Sequence, residues 1–234
     1  IPDIFDVWVD AGTTSWNCLF YPEKKDLFEK FFPADFILEG KDQIRGWFNI
    51  LLVTGLLALD KHPYKSVYMH GFVNDSLGRK MSKSLQNYIL PEEVVSKYGA
   101  DTMRYYMIGS TSPGEDMKYN FEDMDIRFRN LNILWNVHSY LKTLVETSGL
   151  MPGGVDYSKL DLEEKFILSR MNSTIKTVAE KYDKYLINEV PNLIESLFLD
   201  LSRTYIQQIR SKFDEGDNSC LLYTSDAADE EDSV

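Results

Sequence analysis

Residues 35–73 read DFILEGKDQIRGWFNILLVTGLLALDKHPYKSVYMHGFV, and they decide the fold. Asp35 to Glu39 is short and apolar and stops at Gly40, which is how a buried strand ends. From about Gln43 to Leu59 the chain is apolar nearly all round, as in a buried helix. Ser66 to Val73 is rich in valine and aromatic residues and reads as a second strand. Strand, helix, strand at this spacing is a βαβ unit, and a βαβ unit implies a parallel sheet.

Downstream, Asn74 to Leu90 is polar and basic and reads as a loop. It contains Gly78-Arg79-Lys80-Met81-Ser82-Lys83-Ser84. Ligands of open parallel sheets bind just beyond the carboxyl ends of strands, where this loop sits. Lysine ammonium groups are mobile point charges and serine hydroxyls donate to phosphate oxygens, so the composition suits a polyphosphate. A plain solvated basic loop fits the spacing equally well. Pro91, Glu92 and Glu93 then open a helix, with proline in the first turn and acids at its positive end. Gly99 closes that helix, and a second short one is expected from about Asp101 to Ile108.

After a turn at Ser112 to Gly114 the chain changes character. Leu134, Val137, Leu141 and Leu144 recur at helical spacing. So do Ile167, Leu168, Met171, Ile175, Val178 and Tyr182, and again Val190, Leu193, Ile194, Leu197, Leu201 and Tyr205. These stripes predict an all-α bundle. Ser148 to Gly154 (SGLMPGG) is the clearest linker. Pro191 fits a first helical turn if Asn188 caps it.

The 234 residues are 44% hydrophobic, enough for one sizeable core with a helical appendage. No apolar run is long enough to span a membrane, and no leader pattern stands at the N-terminus. Two distant cysteines, Cys18 and Cys220, make a disulfide framework or cysteine zinc site unexpected and suggest a reducing, cytoplasmic setting. The formal charge of −12 excludes a wholly basic nucleic-acid coat but not a local basic groove.

The end of the chain reads CLLYTSDAADEEDSV from Cys220. Cys220 to Asp229 resembles the translation of a transposase sequencing adapter, so residues 220–234 are expected to be foreign to the fold. An ordinary acidic tail is the alternative. Without its five acids the remainder carries 32 acidic and 25 basic side chains, a net −7. The native sequence is then expected to continue beyond Ser219.

Lys80 to Ser84 is the full KMSKS signature of the class I aminoacyl-tRNA synthetases, which the chain resembles. His70-Gly71-Phe72-Val73 precedes it at that family's distance, and Tyr98-Gly99-Ala100-Asp101-Thr102-Met103-Arg104 follows in place of YGADALR. Glu39 to Phe48 is similar to the EGxDQxRGWF segment of the isoleucine-specific branch. Asp6 to Gly12 (DVWVDAG) is similar to DVWFDSG, departing at Val9 and Ala11. Another departure is Gln86, where glycine is usual; glycine admits backbone angles that glutamine avoids. The helical half matches more loosely, through Leu134-Trp135-Asn136 and Leu201 to Ile206. A valyl or leucyl synthetase, or a non-catalytic tRNA- or nucleotide-binding relative, is the competing reading.

The resemblance implies an α/β fold followed by all-α. Residues 1–110 would be the C-terminal half of a Rossmann-like catalytic domain, and 111–219 the start of a helical anticodon-binding bundle. It implies ATP, arriving with Mg²⁺, as the ligand of His70, Gly71, Phe72, Val73, Lys80, Met81, Ser82, Lys83 and Ser84. Lys80 and Lys83 would offset charge on the departing phosphates. Glu39, Gly40, Asp42 and Gln43 would hold the aminoacyl-adenylate, with Trp8 and Trp47 walling an aliphatic pocket. Arg127, Arg129, Arg203 and Arg210, with Lys212, are candidates for the tRNA backbone. The partners implied are isoleucine and tRNA(Ile), and the full-length enzyme would be a monomer. The family's HIGH motif is not seen: the histidines are His62, His70 and His138. An internal piece of a longer enzyme is therefore expected, lacking the editing domain and inactive in adenylate formation by itself.

Overall fold

A computed structural model describes residues 6–148 and 157–214. Beyond Ser148, the linker expected at 148–154 lies outside the described residues, as does all of 220–234. The chain forms two compact units. One comprises the described residues up to Tyr88 with Thr111–Tyr119; the other comprises Ile89–Ser110 and the described residues from Asn120 on.

The first unit is built on the βαβ element. Strand β1 (Ile37–Gly40) pairs in parallel with β2 (Val67–His70), placing Glu39 beside Met69 and Gly40 beside His70. Between them run a 3₁₀ turn (Lys41–Arg45) and helix α3 (Trp47–Leu59). Ile37, Phe48 and Leu51 form the core, with Ala34, Trp47, Tyr64 and Met69 packed on it. The expected helix from Gln43 therefore starts four residues later, and it is not buried all round. Its Phe48, Leu51 and Gly55 stripe turns inward, while Val53, Leu56 and Leu57 are exposed. One-sided packing, on α1 (Val7–Asn17) and the strands, accounts for this. Gly12 of α1 lets the helices close up: a Cβ there would lie 2.9 Å from Ile50 Cγ1. A short helix, α2 (Lys25–Phe31), completes this side.

The expected strand Ser66 to Val73 is broken in two. β2 stops at His70, and β3 (Val73–Asn74) pairs instead with β4 (Met117–Lys118), again in parallel. Gly71 is the break. A Cβ on it would sit 2.0 Å from Glu115 O, so the 111–119 segment crosses directly over this backbone.

The second unit is helical. α4 (Pro91–Tyr98) and α5 (Ala100–Gly109) meet at Gly99, whose φ of 82° turns the chain. α6 (Phe121–Ser148), α7 (Leu162–Asp183), α8 (Val190–Asp200) and α9 (Ile206–Asp214) follow, with a π-turn at Leu201–Tyr205 joining the last two. Pro191 does lie in the first turn of α8, but the residue at its N-cap is Glu189, because a 3₁₀ turn (Ile187–Glu189) feeds straight into the helix. The boundary expected near residue 110 is drawn differently by packing. α4 and α5 join the helical unit, where Tyr98 lies against Phe121 and Phe128 and the buried Tyr106 hydroxyl accepts the Asn120 amide. No described helix is long and apolar enough to cross a membrane.

Candidate active site

At the ends of β1 and β2, two glycine-bearing pairs lie side by side. Gly40 faces His70, whose ring Cε1 would be 3.4 Å from a Cβ on that glycine. Asp42 Oδ1 crowds the same position at 2.5 Å, so any side chain at 40 would fill the space between them. Exposed Glu39 reaches the Gly40 amide through its own carboxylate, at 3.2 Å. His70 Nδ1 donates to Gly71 O at 2.8 Å.

Gln43 is committed inside the protein. Its Oε1 accepts the Trp47 amide at 2.9 Å, capping the start of α3, and its Nε2 donates to Asp42 Oδ2 at 2.9 Å. Trp47 is half-buried and donates its indole N–H to Ala11 O at 3.0 Å. Trp8 is exposed, with its ring edge 3.5 Å from where Gly46 would carry a Cβ. Each tryptophan thus reaches across the α1–α3 contact.

Lys41 and Asp116 escaped the sequence reading. Asp116 Oδ1 takes Lys41 Nζ at 2.7 Å and the Phe72 amide at 2.8 Å, and the ammonium lies 5.4 Å from the Phe72 ring centre. The Lys41 hydrogen bond, then that from Phe72, holds the Asp116 carboxyl below its ordinary pKa. The partners stand 75 positions apart, so no local spacing marks them.

The basic loop is a tight, internally bonded structure. Asn74 bridges to Lys80, Gly78 turns with φ 79°, and Asp75 N donates to Arg79 O at 2.9 Å. Asp75 is buried. Its Oδ1 accepts the amides of Leu77 (3.0 Å) and Arg79 (2.8 Å); its Oδ2 accepts Arg79 Nε (2.8 Å) and Asn87 Nδ2 (2.9 Å). Asn87 also donates to Lys80 O at 3.2 Å and accepts the Ser82 amide at 2.9 Å. Ser82 Oγ lies 3.1 Å from Ser84 Oγ and accepts the Leu85 amide at 3.3 Å. The Lys80 and Lys83 side chains are exposed, and neither has an ion-pair partner among the described residues.

Hydrogen bonds led by Asn87 and Arg79 lower the Asp75 pKa to about 2 from 3.8. A depressed carboxylate stabilises its fold above the unfolded pKa and loses that contribution as pH falls through the folded one. The loop should thus be fully held down to about pH 4 and released toward pH 2. NMR titration of the Leu77 and Arg79 amides tests this; a midpoint at the ordinary 3.8 would contradict it.

Gln86 adopts the left-handed conformation, with φ 52°, and its amide closes the turn on Lys83 O at 3.2 Å. The geometry that glycine would favour is kept despite the side chain. That costs an L-residue roughly 1–2 kcal/mol. Gln86→Gly should slow tryptic cleavage after Lys83 about fivefold by stabilising the closed turn. Faster cleavage would mean that the glutamine side chain itself holds the turn.

Among the arginine candidates, Arg129, Arg203 and Arg210 are exposed. Arg127 is engaged inside the helical unit: its guanidinium pairs with Glu195 at 2.5 Å and lies over the Tyr105 ring, so it holds helices together. Lys212 is likewise engaged, with Asp161, Glu163 and Glu164.

Residues 1–120 match the family "tRNA synthetases class I (I, L, M and V)". The chain belongs to this class I synthetase family. Residues 164–227 of this class I synthetase chain match the family "anticodon-binding domain of tRNA ligase". It is similar to the isoleucine–tRNA ligase of Methanothermobacter marburgensis, 43% identical over 90% of the chain and 20% of that protein. The isoleucine–tRNA ligase of Pyrococcus furiosus is 41% identical over 96% of the chain and 22% of its own length. The chain thus spans about a fifth of these relatives. Among solved structures, Mycobacterium tuberculosis methionyl-tRNA synthetase with methionyl-adenylate matches with a TM-score of 0.77 at 24% identity, over 93% of the chain and 44% of its own. A ternary LeuRS–tRNA–LeuAMS complex from Agrobacterium radiobacter K84 matches at 0.71 and 22%, over 95% and 29%. Both carry the fold alone: α/β followed by helices.

Proposed function

We propose that these residues form the phosphate side of an isoleucine-activating site, in a protein that charges tRNA(Ile). The observation that carries this is the bonded loop at Gly78–Ser84, with two exposed lysines unpaired among the described residues, in the same unit as the Gly40–His70 pair at the β1 and β2 ends. Isoleucine attacks the α-phosphorus of ATP, pyrophosphate leaves, and a tRNA ribose hydroxyl then takes the acyl group. Lys80 and Lys83 offset charge on the leaving phosphates. Mg²⁺ arrives on ATP, and the Ser84 hydroxyl adds a donor. Gly40 lets adenylate approach the backbone closely. Glu39 and Asp42 supply carboxylates to its ammonium and hydroxyl groups, and Trp8 and Trp47 wall the aliphatic pocket. Arg129, Arg203 and Arg210 are left for the RNA backbone. A reducing, cytoplasmic setting and a monomer complete the proposal.

The test replaces the matching segment of the Pyrococcus furiosus ligase with this chain and measures amino-acid-dependent ATP–pyrophosphate exchange. Exchange stimulated by isoleucine supports the proposal. Stimulation by leucine or valine instead assigns a sister activity. A folded chimera without exchange, together with no pyrophosphate binding by the chain, overturns it.

A further inference from the structure

We propose that Asp75 and Asn87 are the positioning residues of the Gly78–Ser84 loop, a role that rests on the polyphosphate reading of that loop. The Lys80 and Lys83 side chains are exposed and have no ion-pair partner among the described residues, so their presentation depends on the backbone beneath them. That backbone is fixed from inside by one carboxylate and one amide. Asp75 gathers the incoming turn: both its oxygens are used, on the amides of Leu77 and Arg79 and on the side chains of Arg79 and Asn87. Asn87 fastens the outgoing limb to the incoming one. Its amide nitrogen serves Asp75 and Lys80 O, and its amide oxygen takes the Ser82 N–H.

The donors and acceptors match in number as well as place. A carboxylate at 75 accepts four hydrogen bonds and an amide at 87 both donates and accepts, so neither exchanges for its isostere without loss. Asp75→Asn turns one oxygen into a donor that faces Arg79 and the Asn87 amide. Asn87→Asp sets a second carboxylate 2.9 Å from the first and loses the bond to Lys80 O. Neither residue reaches substrate in this role; both act through the lysines. Pre-ordering the loop removes an entropy cost from phosphate binding.

The experiment uses the whole chain, its Asp75→Asn and Asn87→Ala variants, trypsin, and inorganic pyrophosphate as the probe. Cleavage after Lys80 and Lys83 is compared with cleavage after Lys61, an exposed site in the same unit. The expected result is loop cleavage about tenfold faster in both variants with the Lys61 rate unchanged, and a pyrophosphate Kd about tenfold higher. Unchanged loop cleavage overturns the proposal. So does equal acceleration at Lys61, which makes the pair a support of the entire unit, and so does an unchanged Kd alongside faster loop cleavage. If the unsubstituted chain fails to bind pyrophosphate, the polyphosphate reading falls instead, while the cleavage ratio still decides whether Asp75 and Asn87 order the loop.

Discussion

Replacing Lys80 and Lys83 together with methionine lowers isoleucine-dependent pyrophosphate exchange by the chimera about 10³-fold in kcat. Methionine keeps the length and flexibility of each stem and deletes only the charge. Both ammonium groups are exposed and unpaired among the described residues, so neither substitution breaks an ion pair or leaves a buried partner. The loss must then come from charge that develops on the departing phosphates. One well-aimed donor to such charge is worth about 10²–10³ in rate. Groups acting on the same oxygens are not additive, so the pair should cost less than the product of the singles. KM for isoleucine should stay nearly constant, since the amino acid is assigned to the β1 side. A fall in kcat smaller than tenfold would remove the loop from the chemistry.

The unit that carries this loop was legible in outline. The apolar runs at Ile37 and Val67, with a helical pattern between, suggest a βαβ unit by their composition and order, and that parallel pair formed. The break at Gly71 was not legible, because its cause is the backbone of Glu115, met only after folding. The left-handed angle at Gln86 was signalled only by the glycine usual at that position. Glutamine itself carries no signal for it, and a turn bond from its amide to Lys83 O accompanies it. KMSKS named the charges but not their support, since a single aspartate at 75 and a single asparagine at 87 leave no periodic trace. Gln43, which the resemblance assigns to a ligand, also has a local role that no spacing announces: its acceptor closes the first turn of α3. Arg127 looked like a surface charge because its partner Glu195 lies 68 residues on. Periodic burial is readable in one dimension; specific long-range polar pairs are not.

That same pair carries the largest stability effect expected in the helical unit. Glu195 on α8 receives Arg127 Nη1 at 2.5 Å, Asn130 Nδ2 at 2.8 Å and the Tyr105 hydroxyl at 2.5 Å, so one carboxylate joins α5, α6 and α8. Burial, then the Glu195 contact, pushes the Tyr105 phenol well above its ordinary pKa, so it stays a donor at any working pH. The Arg127 and Glu195 side chains are only 20% and 16% exposed. Truncating one partner of a mostly desolvated pair strands the other, which costs about 3–5 kcal/mol. With a fifth of the area still wet, Glu195→Ala should lose about 3 kcal/mol in urea denaturation of the chain. Glu195→Gln, which keeps the shape and an acceptor, should lose about half of that. The Arg170–Asp200 pair, about a third exposed, gives the internal comparison: Asp200→Ala should cost only about 1 kcal/mol. Equal losses at Glu195 and Asp200 would mean that desolvation does not set the strength of the three-helix clamp.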